Sequence, residues 1–117
     1  MIANVERRQE PRLRYSWESQ LYCDSIRGGK LGRMIDLNSK CAAVLVENNC
    51  PLDIGREAEI GLMYPRVVNG NFEIVHEHRP CTVIRREWYN SALNRIVVEF
   101  HQPMEAPPAV GNEYINN

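Results

Sequence analysis

Lysine is nearly missing from this chain of 117 residues. Only Lys30 and Lys40 stand among its 14 basic residues, the rest being arginine, and 15 acidic residues bring the net charge to -1. There is no overall basic excess of the kind that holds nucleic acid, so neither DNA nor RNA is an expected partner. Long apolar runs are missing too. The longest, Cys41–Val46, falls far short of the roughly 20 residues that cross a bilayer as a helix, and membrane insertion is not expected. Glu6, Arg7 and Arg8 interrupt the N-terminal segment before an apolar stretch can form, which argues against a secretion signal. No CxxC pair occurs among Cys23, Cys41, Cys50 and Cys81; their wide, irregular spacing suits buried free thiols in a reducing, cytoplasmic setting. Repeats, low-complexity stretches and long amphipathic helical patterns are also lacking. What remains, 44% hydrophobic and 25% charged, is one ordinary globular domain, not a disordered tail, a fibre or a multidomain enzyme.

The hydrophobic pattern has a period close to two almost throughout, the signature of half-buried strands. Leu13, Tyr15, Trp17, Leu21 and Cys23 share one face of a first strand, and Arg14, Ser16, Glu18, Gln20 and Tyr22 the other. Ile26–Gly29 reads as a turn, followed by a strand from Lys30 to Leu37 in which alternation places Met34, Asp36 and Asn38 together. Ala42–Val46 is continuously apolar, as expected of a strand covered on both faces. Asn48–Pro51 is a turn cluster. Further strands are expected over Glu57–Leu62, Phe72–His78, Cys81–Tyr89 and Arg95–His101, with Asn69-Gly70-Asn71 as a tight turn and Pro80 opening the strand that follows it. Pro103, Pro107 and Pro108 exclude a regular helix from the C-terminal tail. The expectation is an all-β chain: a small antiparallel barrel of six to seven strands spanning residues 13–104, between a flexible N-terminal arm (1–12) and an irregular tail (105–117).

Arginine is concentrated in the first 14 residues, the arm and the start of the first strand. Arg7, Arg8, Arg12 and Arg14 outweigh Glu6 and Glu10 there, and Pro11 biases Glu10 toward an extended conformation. Paired guanidiniums such as Arg8 and Arg12 suit phosphate oxygens or stacking on a purine, although a solvated charged terminus has the same composition. Asp36 and Asn38 close a strand; a carboxylate there suits the N–H donors of a guanine edge, whereas Asp/Asn/Ser at a strand end also simply caps turns. His76, His78 and Cys81 could offer zinc three ligands, but no fourth is evident and Pro80 breaks the register, so edge histidines are expected instead. No nucleophile, base and orienting acid assemble by spacing around His101, so catalysis is not expected. Trp17 and Trp88 are expected to pack in the core or at a rim. Arg85 and Arg86 fall on opposite faces, with a solvated edge favoured over a barrel mouth for either.

Taken in order, Arg8-x-x-x-Arg12, Gly32-Arg33-x-x-Asp36-x-Asn38, Pro51-Leu52-x-x-Gly55-x-Glu57-x-Glu59-Ile60 and Val97-Val98-Glu99-Phe100 resemble the PilZ domain, a bacterial receptor module for cyclic di-GMP. The resemblance runs from Glu6 to Met104. It implies a PilZ-like split barrel and a ligand site formed by Arg7, Arg8 and Arg12 of the arm with Asp36, Asn38 and Cys41 of the barrel. Arg8 and Arg12 would hold phosphates and guanine, and Asp36 would contact guanine. Asn38 stands where the family pattern has Ser, and Cys41 where it has Gly. The implied role is a cytoplasmic receptor without catalysis, cofactor or metal, which relays its signal to a protein effector; homodimerisation stays open. A PilZ-like adaptor that binds protein without nucleotide is the alternative.

Overall fold

The computed structural model describes residues 13–24 and 26–105. Six strands follow one another: β1 (Leu13–Cys23), β2 (Ile26–Leu37), β3 (Cys41–Glu47), β4 (Glu57–Val68), β5 (Asn71–Trp88) and β6 (Leu93–Phe100). They form a closed antiparallel barrel in the order β1-β2-β3-β6-β5-β4. The chain thus makes two three-stranded meanders. They join along β3–β6, from Cys41↔Glu99 to Glu47↔Leu93, and along a short β1–β4 seam from Gln20↔Gly61 to Tyr22↔Glu59. Among the described residues no helix is long and apolar enough to cross a membrane.

Alternation builds the core as expected in most strands. Leu21, Ile60, Leu62, Ile96, Val98 and Phe100 point inward, and Ala42–Val46 is buried on both faces of β3. Close packing sets the backbone at Gly32, where a Cβ would lie 2.5 Å from Val44 Cγ1, a distance real side chains do not tolerate. Asn69 and Gly70 both adopt positive φ (53° and 79°), the geometry a two-residue hairpin turn demands.

Three sequence expectations are corrected. The Ile26–Gly29 segment lies within β2, and the turn is at Asp24. Phe72–His78 and Cys81–Tyr89 are not separate strands: β5 runs unbroken through Pro80. In an extended strand a residue's N–H and C=O project to the same side. Pro80 O accepts from His101 N (3.0 Å), so the donor that proline lacks would face a side where β6 has already ended. Third, Met34 and Asp36 do not share a face. A bulge at Ile35 turns Met34 into the core and leaves Asp36 outside, opposite Ala43.

A second bulge, at Ile84, decides how the barrel end is closed. It places Arg85 outside and turns Arg86 inward opposite Ile96, so the solvated edge expected for this pair holds for Arg85 alone. The Arg86 fork donates to the carbonyls of Cys50 (2.6 Å), Leu52 (3.1 Å) and Asn48 (2.7 Å), all in the crossover from β3 to β4. The Asn94 amide, turned to satisfy its neighbours, accepts from Arg86 Nε and Nη2 at 3.0 Å each. Gly55 N and Arg56 O complete the attachment by bonding to Val83 of β5. At the other end Met104 is buried in the core, and its N–H donates to Ser39 O (2.8 Å).

Two outcomes follow for stability. Arg86→Ala strands several inward carbonyls and is expected to cost about 2–4 kcal/mol in urea denaturation, with Arg86→Lys recovering only part because an ammonium cannot match the fork. Burial, reinforced by Glu57 and Glu59, pushes the Cys81 thiol up to about 12 from 9.0, and burial beside Glu77 pushes the Tyr64 hydroxyl up to about 12 from 10.0. Both groups therefore ionise more readily in the unfolded chain, so their contribution is intact below pH 9 and is lost as pH rises toward 12. Burial also raises the Cys41 and Cys50 thiols, so thermal melts across that range should decline in steps, and Cys81→Ala should diminish the earlier one.

Candidate functional site at the close of β2

The pairing of β1 with β2 brings Leu13 opposite Leu37 and Arg14 opposite Asp36. The point where the chain enters the barrel therefore lies beside the Asp36–Asn38 segment, although the two are far apart in sequence. Arg7, Arg8 and Arg12 lie outside the described residues.

Asn38 serves the turn into β3. Its Oδ1 accepts from Lys40 N (2.7 Å) and Cys41 N (2.8 Å), while its own N–H donates to Cys41 O (3.0 Å). This is the turn-capping use that asparagine performs well, and it leaves Nδ2 as the part of the side chain the turn does not employ. Cys41 opens β3 opposite Glu99 and is half-buried. Among the described non-glycine residues only Asn69 has positive φ, so position 41 does not require glycine's backbone freedom. Burial pushes the Cys41 thiol up, and the neighbouring Glu99 adds to this, which disfavours the reactive thiolate.

Asp36 carries the electrostatics of the site. Its Oδ2 lies 3.4 Å from Arg95 Nη2, and Arg95 Nη1 donates to Glu87 Oε1 at 3.0 Å. Arg95 is on β6 and Asp36 on β2, so the guanidinium must cross the outer face of β3, which lies between them. Arg95 stands opposite Leu45 and Asp36 opposite Ala43, so the crossing runs diagonally over β3, and Ala43 is 3% exposed although it lies outside the core cluster. The side chains of Asp36 and Arg95 are 18% and 22% exposed, so water screens this contact only in part. Neither Arg95 nor Glu87 stands out in the sequence. Each is one charge in an alternating strand, and only strand order and register bring them to Asp36.

Other candidates separate. His76 and His78 lie on the outer face of β5, opposite Met63 and Gly61, whereas Cys81 is fully buried in the core. The three therefore cannot converge on one ion, and no group of three potential metal-ligating residues exists among the described residues. His78 instead pairs with Glu59 (3.3 Å) and lies against the Tyr22 ring. At the end of β6, His101 Nε2 faces both Glu57 Oε1 (2.7 Å) and Thr82 Oγ1 (2.9 Å). One ring nitrogen serving both partners is not the relay of nucleophile, base and orienting acid that acyl transfer uses. Trp17 packs against the core as expected, but Trp88 is 74% exposed, contrary to the packing expected of it. It follows the inward Arg86 by two positions, past the point where the crossover has already filled the barrel end.

No family model, curated protein or solved structure matches the chain.

The turn gives a direct check on Asn38. Asn38→Ala is expected to cost about 0.5–1.5 kcal/mol by thermal denaturation, whereas Asn38→Ser, whose hydroxyl can take over one acceptor role, should lose less.

Proposed function

We propose that this chain is a cyclic di-GMP receptor of the PilZ type, acting in the cytoplasm and relaying its signal through a protein partner. The observation that carries this reading is the β1–β2 register, which sets the entry of the arginine-rich segment beside Asp36 and Asn38. Arg8 and Arg12 are the phosphate and guanine contacts, with Arg7 supplying further positive charge. Asp36 accepts from the N–H groups of a guanine edge, and Asn38 offers its Nδ2. Cys41 adjoins the same turn. No bond is made or broken: the ligand orders the arm against the barrel and changes the surface that a partner meets.

A second reading is favoured by one observation. Asp36 already has a cationic neighbour in Arg95, and Asn38 Oδ1 is committed to the turn. A barrel whose two best ligand groups are so engaged suits an adaptor that binds protein without nucleotide.

Titration calorimetry with cyclic di-GMP separates the two. Saturable heat with tens of micromolar protein supports the receptor, and its absence supports the adaptor. Where binding occurs, Arg8→Ala and Arg12→Ala are each expected to weaken it by about 1.5–3 kcal/mol, as hydrogen bonds to charged groups do. Unchanged affinity in both would remove the arm from the site.

A further inference from the structure

We propose that the open edge of β5, residues 72–78, pairs antiparallel with the same edge of a second copy of this chain, centred on His76, so that two barrels share one continuous sheet. The pairing is independent of any nucleotide.

β5 is much longer than the strand beside it. β6 accompanies it only from Cys81, opposite Phe100, to Trp88, opposite Asn94. Beyond Phe100 the chain leaves: His101 N–H donates to Pro80 O, and Met104 N–H already donates to Ser39 O in the turn between β2 and β3. Among the described residues no strand covers the preceding stretch of β5 on that side. Neighbouring residues of a strand turn their N–H and C=O to opposite sides. Pro80 faces the β6 side, so Phe72, Ile74, His76 and His78 do likewise. Their peptide groups form an open edge of the kind that recruits another strand. The opposite edge of the same hairpin is blunted. β1 leaves β4 after Gln20↔Gly61, and in that alternation Pro65 falls where an N–H would face outward.

Charge chooses the register and the occupant. A two-fold pair is isologous, so each contact occurs twice. Centring it on Val75 sets Glu73 against Glu77, and centring it on Glu77 sets that carboxylate against its own copy. Like charges directly opposite destabilise a sheet. Centring on His76 avoids both and sets Glu73 against Arg79, where it adds to the pairing Arg79 already has with Glu77. It also sets Phe72 against Pro80 and Ile74 against His78 on the outer face. Phe72 is 63% and Ile74 42% exposed in the single chain, and the second copy supplies each with a neighbour. The ladder then gains about six hydrogen bonds, donated by Ile74, His76 and His78 of each copy.

Sedimentation velocity on the full chain over a range of concentrations reads the association, with amide hydrogen exchange at Ile74, His76 and His78 as a second measure. A dimer is expected, with these three amides better protected as concentration rises. His76→Pro removes an N–H that β4 does not use, and Ile74→Lys places a charge on the edge. Each is expected to raise the dimer dissociation constant by about tenfold or more. Glu73→Lys, which would face Arg79, should act in the same direction. Val67→Lys removes a similarly exposed apolar residue (49%) from β4, away from the shared edge, and should leave the dimer intact. Thermal melts establish that each variant folds. A chain that stays monomeric at millimolar concentration would overturn the proposal, as would a dimer that His76→Pro and Ile74→Lys leave unchanged. Loss of the dimer in Val67→Lys as well would overturn the pairing and assign the association to apolar contact of the hairpin face.

Discussion

The barrel depends on where one guanidinium points. Closing six strands in this order requires the chain to pass from β3 to β4 across an open end, and such a passage turns peptide carbonyls toward the interior. A buried carbonyl without a donor costs about as much as a lost hydrogen bond, so the crossover needs a dense local source of N–H groups. Arg86 is that source. Its planar fork meets carbonyls from three crossover residues, Asn48, Cys50 and Leu52, while Asn94 accepts from its remaining edge. The bulge at Ile84 matters for this reason: without it, simple alternation from Val83 would turn Arg85 inward and send Arg86 to solvent.

A parallel arrangement shapes the outer wall. β3 is buried on both faces, yet only its inner face belongs to the hydrophobic core. Outside, Arg95 reaches from its place opposite Leu45 toward Asp36, which laps a charged side chain across the outer face of β3. The two arginines show what partial burial does to the same chemical group. Arg86 is held by neutral carbonyls at a barrel end, with the Asp53 carboxylate 3.9 Å away. Arg95 lies between two carboxylates on different strands, closer to Glu87 than to Asp36.

Much of the fold was legible because strand alternation depends only on local spacing. The inward sets of β4 and β6, the double burial of β3 and the Asn69-Gly70 turn can all be read directly. Two of the failures trace to a bulge and to a strand edge. The bulge at Ile35 separated Met34 from Asp36, and the end of β6 allowed Pro80 to sit inside β5. Neither leaves a mark in composition, because each depends on what the neighbouring strand does at that position. Of the candidate site, Asp36 and Asn38 could be chosen by residue type at a strand end and Cys41 only through the family resemblance, but Arg95 and Glu87 could not, being distant in sequence from Asp36.

The scarcity of lysine finds its physical sense here. Arginine at positions 86 and 95 does what a point charge cannot, spanning several acceptors at fixed angles. The sequence by itself determined that the chain would be a small all-β domain, which faces of its strands would be apolar, and that the close of β2 would carry polar turn chemistry. Those properties follow from period-two patterning and the local preferences of Asn, Gly and Pro. Only the tertiary structure decided which arginine enters the barrel, which carboxylate faces which cation, and that the start of β1 lies beside Asp36. Each of these depends on register and closure, which arise when strands distant in sequence pair.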